Sequence, residues 1–170
     1  MSKNKNTCST LYITLKDGLV KIELFPNIAP KHVERIAKLA SEGKYNNVVF
    51  HRVIEGFMAQ TGDVEYGNIK IGWNKSRVGT GGSQEDNLPS EFSSLPFDRG
   101  TLGMARAQEV NSANSQFFIM FEDGHFLNGQ YTLFGRVTEG MDFVDKIARG
   151  DQSNNGSVET PDQMIKVEEK

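Results

Sequence analysis

The chain predicts a mainly β domain, a set of antiparallel strands closed into a barrel, and three observations carry that prediction. Short segments rich in β-branched and aromatic residues alternate apolar with polar side chains, the mark of strands with one buried face. Turn pairs ending in glycine, Asp17-Gly18 and Glu55-Gly56, join such segments into hairpins. Helical periodicity occurs in two places only and does not alternate with the strands, which argues against a parallel α/β sheet. Roughly eight strand candidates and two helices result, and closing strands of that number into a barrel removes edges that would otherwise stay open. Such a barrel is filled by its own side chains, so any binding surface belongs on the outer wall.

The elements follow in order. Leu11, Ile13 and Leu15 alternate with Tyr12, Thr14 and Lys16, and after Asp17-Gly18 the residues Val20, Ile22 and Leu24 alternate with Lys21 and Glu23. Pro26 stops this hairpin. Pro30 suits the first turn of a helix, where its missing N–H costs nothing, and Val33, Ile36, Ala37 and Ala40 form an apolar stripe that Gly43 ends. His32 lies off that stripe and is expected in solvent. A second hairpin runs from Val48 to Ile54 and from Phe57 to Thr61. Alternation puts Phe50, Arg52 and Ile54 on one face and Val49, His51 and Val53 on the other, so His51 reads as a packing residue. Met58 and Gln60 share a face of the second strand, with Phe57 expected to join them at the twisted turn. One cation, one amide and two large apolar groups around one surface suit a ligand that is mostly apolar with a single carbonyl to hold.

From Val64 to Arg99 the composition shifts to Gly, Ser and Asn, with Gly79-Thr80-Gly81-Gly82 in the middle. No Lys-Ser/Thr pair or strand-to-helix context accompanies these glycines, so they are weak evidence for phosphate binding. Trp73 and Asn74 to Arg77 read as surface cover, although a loop this long in a compact domain is more often functional than idle. Gly100 to Ala107 is a short strand whose small residues admit another backbone. In Gln116 to Phe121, Phe117, Ile119 and Phe121 serve a core, while Gln116, Phe118 and Met120 face the other way and repeat the amide-and-aromatic pairing of Gln60 and Phe57. His125, in a Glu-Asp-Gly-His turn, is expected in solvent. Tyr131 to Val137 is a strand, and Met141, Val144, Ile147 and Ala148 make a second short helix closed by Gly150. The polar loop Asp151 to Pro161 leads to a last strand around Met164 to Val167.

A length of 170 residues fits one domain whose core needs no staples. The net charge of −3 removes any broad attraction to nucleic acid or an anionic membrane. The single cysteine, Cys8, forms no internal disulfide, and no apolar run follows the lysines of Met1 to Thr10, so a cytoplasmic chain is expected. Residues 1–9 read as a flexible segment ahead of one domain over 10–170.

Phe50-His-Arg-Val-Ile-Glu-Gly-Phe-Met-Ala-Gln-Thr-Gly-Asp63, Gly79-Thr-Gly-Gly82, Gly103-Met-Ala-Arg-Ala107, Ser112-Ala-Asn-Ser-Gln-Phe-Phe-Ile119, Phe126-Leu-Asn-Gly-Gln-Tyr131 and Phe134-Gly-Arg-Val137 together resemble the cyclophilin family of peptidyl-prolyl cis-trans isomerases, in the family's order and in its bacterial cytoplasmic flavour. The resemblance implies an eight-stranded antiparallel barrel capped by a helix at each end. It implies Arg52, Gln60 and Phe118 as catalytic residues, and Phe57, Met58, Ala105, Arg106, Gln116, Phe126, Leu127 and Tyr131 as substrate-binding ones. The implied partners are proline-containing peptides and unfolded or flexible protein segments, met by a monomer without cofactor or metal. Three positions depart from common members: Phe126 stands where many eukaryotic ones carry Trp, Arg106 where Asn is common, and Tyr131 where His is frequent. Phe lacks the indole N–H donor, so weak cyclosporin binding is expected with turnover retained. The segment between Ala107 and Gln116 is also one residue longer than in many eukaryotic members.

Overall fold

The computed structural model describes residues 9–170. Cys8 and the expected segment 1–9 fall outside the described residues, except Ser9, which opens the first strand. Strands β1 (Ser9–Thr14) and β2 (Leu19–Leu24) form the first hairpin, with Leu11 opposite Ile22 and Ile13 opposite Val20, all buried. Leu15 and Gly18 exchange main-chain hydrogen bonds across the turn. Helix α1 (Pro30–Ser41) has its proline at the start, as its lost N–H requires.

Its buried stripe is His32, Val33, Ile36, Leu39 and Ala40. Leu39 joins it in place of the expected Ala37, and His32 is fully buried, against the expectation of solvent. The reason is Glu91, a carboxylate brought in from the long loop. It accepts from the N–H groups of Lys31 and His32 and lies 2.6 Å from His32 Nδ1, so the histidine belongs to the helix cap.

The remaining strands are β3 (Val48–Val49), β4 (Arg52–Ile54), β5 (Met58–Thr61), β6 (Thr101–Met104), β7 (Phe117–Met120), β8 (Leu133–Glu139), β9 (Gln163–Met164) and β10 (Lys166–Glu169). Eight of them form one antiparallel sheet in the order β10-β1-β2-β8-β6-β7-β5-β4. The expected closed barrel takes a looser form. β4 and β10, the two ends of the sheet, are not paired with each other. The segments just before them, β3 and β9, pair over two residues instead. The outer edge of β4 is covered by the 150–158 loop: Val53 N–H donates to Gly156 O, Gly150 N–H to Val53 O, and Val158 N–H to His51 O.

Helix α2 (Met141–Val144) is shorter than its expected stripe. Past Val144 the carbonyls of Asp145 and Ile147 are taken by Arg149 Nη1, and Ala148 N–H turns to Asp162, so the helical ladder ends early.

Strands β5 and β7 are covered on both faces. Ala59, Phe117, Ile119 and Phe121 enter the interior core, while Met58, Phe118 and Met120 join Phe97, Leu127 and Leu133 in a second apolar cluster. The 64–99 segment is fastened over this wall by Asp63, which is fully buried. Its Oδ1 accepts from Glu65 and Tyr66 N–H, and its Oδ2 from Gly79 and Gly81 N–H. The glycine cluster thus wraps a protein carboxylate: a Cβ on Gly81 would sit 2.5 Å from Asp63 Oδ1. That occupied nest removes the weak phosphate reading.

Candidate active site

Strand register builds the site. Arg52 pairs with Gln60, Gln60 with Phe118, and Phe118 with Gly103, so four residues form one row across β4, β5, β7 and β6. The row ends in glycine for a steric reason: a Cβ there would lie 2.5 Å from both Phe118 Cζ and Phe97 Cε2. Phe97 stacks behind Phe118 at 5.9 Å, and Tyr131 meets it edge-on at 5.9 Å. Phe57 and Phe126 lie 5.6 Å apart at the other side, with Phe126 72% exposed. The short 3-10 helix His125–Leu127 carries that rim, and His125, exposed as expected, is tied to Asp98 at 2.7 Å.

These residues surround a cavity of ≈ 660 Å³ lined by Arg52, Phe57, Met58, Gln60, Ala105, Arg106, Phe118, Phe126, Leu127 and Tyr131. Of the sequence-predicted set only Gln116 stands outside it, directly behind Gln60. It borders an adjoining cavity of ≈ 250 Å³.

Gln116 completes a chain of amides. Its Nε2 donates to the carbonyls of Gly79 and Gly81, its Oε1 accepts from Gln60 Nε2, and Gln60 Oε1 accepts from Arg52 Nη1 at 3.0 Å. Both amides are thereby turned with their oxygen toward the guanidinium. The other side of Arg52 is held by Asn155, whose main-chain O accepts from Nε at 3.1 Å and whose Oδ1 accepts from Nη2 at 3.2 Å. Every acceptor is a neutral carbonyl, and among the described residues Arg52 forms no ion pair. Its charge is fixed in direction without being neutralised. Burial pulls its pKa below the ordinary arginine value, opposed by Tyr131, and it remains a cation.

Two readings of the sequence need correction. Phe50 lies in the interior core while His51 and Arg52, its successors, both border the cavity, so alternation breaks at this point. The cause is pairing: Phe50 N–H donates to Asp162 O in the β3–β9 seam, and the ladder of β4 begins only at Arg52. His51 therefore does not face away from Arg52. Burial pulls its pKa down to about 4, with Asp63 opposing and Arg52 adding to the fall, so the ring is neutral at pH 7. Asn155, Phe97, Gly103 and Lys75 were not found by sequence reasoning. The Asn154-Asn155-Gly156 run signals a turn, and Asn155 takes the left-handed conformation, φ 55°, that asparagine tolerates. Nothing local tells that this turn lies beside Arg52.

The family model described as cyclophilin type peptidyl-prolyl cis-trans isomerase/CLD matches residues 10–169. A probable peptidyl-prolyl cis-trans isomerase of Brucella suis is 62% identical over 159 residues, covering 94% of this chain and 81% of that one. Peptidyl-prolyl cis-trans isomerase B of Bacillus subtilis is 38% identical over 152 residues, covering 88% of this chain and 98% of its own. A Cryptosporidium parvum cyclophilin-type isomerase, crystallised in the presence of the dipeptide Ala-Pro, superposes with TM-score 0.79 at 28% identity, covering 93% of this chain and 96% of that one. By the match over residues 10–169 and by these relatives, the chain belongs to the family of cyclophilin-type peptidyl-prolyl cis-trans isomerases.

Proposed function

We propose that this enzyme turns X–Pro bonds in flexible or unfolded protein segments by electrostatic stabilisation from Arg52 beside an apolar proline slot, and so assists folding. The bond sets the chemistry. Its planar amide is held by a barrier of roughly 18–20 kcal/mol and flips unaided in tens to hundreds of seconds. Reaching the millisecond range takes about 5–7 kcal/mol off that barrier, and no bond has to be made or broken. In the twisted transition state resonance is lost and the prolyl nitrogen becomes pyramidal with a free lone pair. A guanidinium N–H aimed at that nitrogen, or at the proline carbonyl, favours the twisted form over the planar one.

Phe57, Met58, Phe118 and Leu127 hold the proline ring and keep out the water that stabilises the charge-separated planar amide. Gln60 steadies Arg52 and has a second Nε2–H for a substrate carbonyl. Ala105 N–H is used by Gln116, whereas among the described residues nothing engages the Arg106 main-chain N–H and C=O. They are suited to pair with a peptide backbone running in from the proline's N-terminal side, as an added strand. The observation that carries this reading is the half-buried, uncompensated Arg52 held in line with Gln60 and Phe118. No helix among the described residues is long and apolar enough to cross a membrane.

The test is NMR exchange on an Ala-Pro peptide. The native protein accelerates exchange, and Arg52→Ala loses about a hundredfold or more in kcat/KM. Binding without acceleration by the native protein would leave only a peptide-gripping module.

A further inference from the structure

The charges around the site are unlike those of the chain. The protein carries −3, yet among the described residues the cavity is lined by Arg52, Lys75 and Arg106 and by no carboxylate, and the adjoining cavity by Arg106 with no carboxylate either. Lys75 is offset by Glu159 at 2.8 Å. Arg52 serves the reacting bond. That leaves Arg106, which lines both cavities and sits at their junction, its guanidinium 4.6 Å over the Tyr131 ring.

Arg106 is held as firmly as Arg52 and by the same kind of partner. Nε and Nη2 donate to Gln130 O, and Nη1 donates to the carbonyls of Ala107 and Gln108. Four of its five N–H groups are thus engaged by neutral oxygens, and one Nη2–H is left. Among the described residues it forms no ion pair. Glu109, the nearest carboxylate in sequence, turns to Asn111 N–H instead. A cation fixed in place and not neutralised meets an anion without the entropy cost of immobilising a free side chain.

Building on the isomerase reading, we propose that Arg106 makes this site select proline segments carrying a carboxylate side chain one or two residues before the proline. A peptide pairing with the Arg106 main chain passes its residues N-terminal to proline beneath this guanidinium, between the two cavities. At separations of about 8 Å in a solvated rim, one unit charge is worth about twofold in binding, and exchanging an acid for a base about fivefold.

The experiment measures catalysed exchange by NMR on acetyl-capped Ala-Xaa-Pro-Phe and Xaa-Ala-Pro-Phe amides with Xaa as Glu, Gln or Lys. In at least one series kcat/KM ranks Glu above Gln above Lys, with about fivefold from first to last, and the spread shrinks in 0.5 M salt. The ratio collapses in Arg106→Gln whatever the absolute rate, and survives in Arg106→Lys, which keeps the charge. Equal rates for the three residues at both positions, or a spread unmoved by salt or by Arg106→Gln, overturn the proposal while the isomerase reading stands. No acceleration of any peptide, Gln included, overturns both.

Discussion

Replacing Asn155 by glycine separates the direction of Arg52 from its charge. Asn155 sits at φ 55°, a conformation glycine takes freely, so the turn and the contact of its main-chain O with Nε at 3.1 Å survive the change. Only the bond from Nη2 to Oδ1 at 3.2 Å is lost, one of three that orient the guanidinium. A hydrogen bond at this solvated rim is worth about 0.5–1.4 kcal/mol, well under its value if fully buried. If the loss falls on the transition state, kcat drops about two- to tenfold. KM stays put, because the apolar slot that holds proline is untouched. The assay is exchange spectroscopy on an Ala-Pro peptide below and above saturation, with a thermal melt alongside. Asn155→Ala is the internal control: alanine at this φ strains the turn by about 1–2 kcal/mol and lowers Tm, yet kcat should match that of the glycine variant. A native kcat in Asn155→Gly, with Arg52→Ala still crippled, would refute the idea that this asparagine aims the cation.

Other expectations follow from the same geometry. Asp63→Asn presents an N–H₂ to the N–H groups of Gly79 and Gly81, donor against donor, and should cost about 2–4 kcal/mol by urea unfolding. A cost under 0.5 kcal/mol would deny Asp63 its place as the fastener of the loop. Gly103→Ala drives a methyl into Phe118 and Phe97, so Tm falls by the equivalent of about 1–3 kcal/mol and KM for peptide rises as Phe118 leaves the slot. An unchanged KM would mean that Phe118 does not form the slot. His51 is buried neutral with its pKa near 4, against 6.5 when unfolded. The unfolded chain therefore binds a proton that the fold refuses, so this contribution is intact above pH 6.5 and is lost as pH falls toward 4, by up to about 1.4 kcal/mol per unit. Burial lowers the His32 pKa as well, with the same sign. Urea midpoints should drop between pH 7 and 5, and less steeply in His51→Gln.

How much of this was legible depended on the range of the cause. The first hairpin was readable because alternation and an Asp-Gly turn act over neighbouring residues, and the two-faced strand at Phe117 to Met120 because both of its faces are written in apolar side chains. Strand alternation and the hairpin turn already gathered Arg52, Phe57, Met58 and Gln60, whereas Ala105, Arg106, Phe126, Leu127 and Tyr131 were reached only through linked motifs. His32 was misread because its partner, Glu91, lies 59 residues away. His51 was misread because alternation presumes an unbroken ladder, and the break at Phe50 is imposed by Asp162 from the far end of the chain. Asn155 and Phe97 reach the site on loops, where no period places a side chain.

The strip of chain laid along the outside of β4 does two jobs at once. A protein that handles extended, sticky polypeptides is at risk from any bare strand margin, because such clients could zip onto it and stay. Here that margin is sheathed by the turn that also steers the guanidinium. Damage to the sheath would therefore dull the catalyst and bare an adhesive border in a single stroke, so rate and resistance to clumping should fail together.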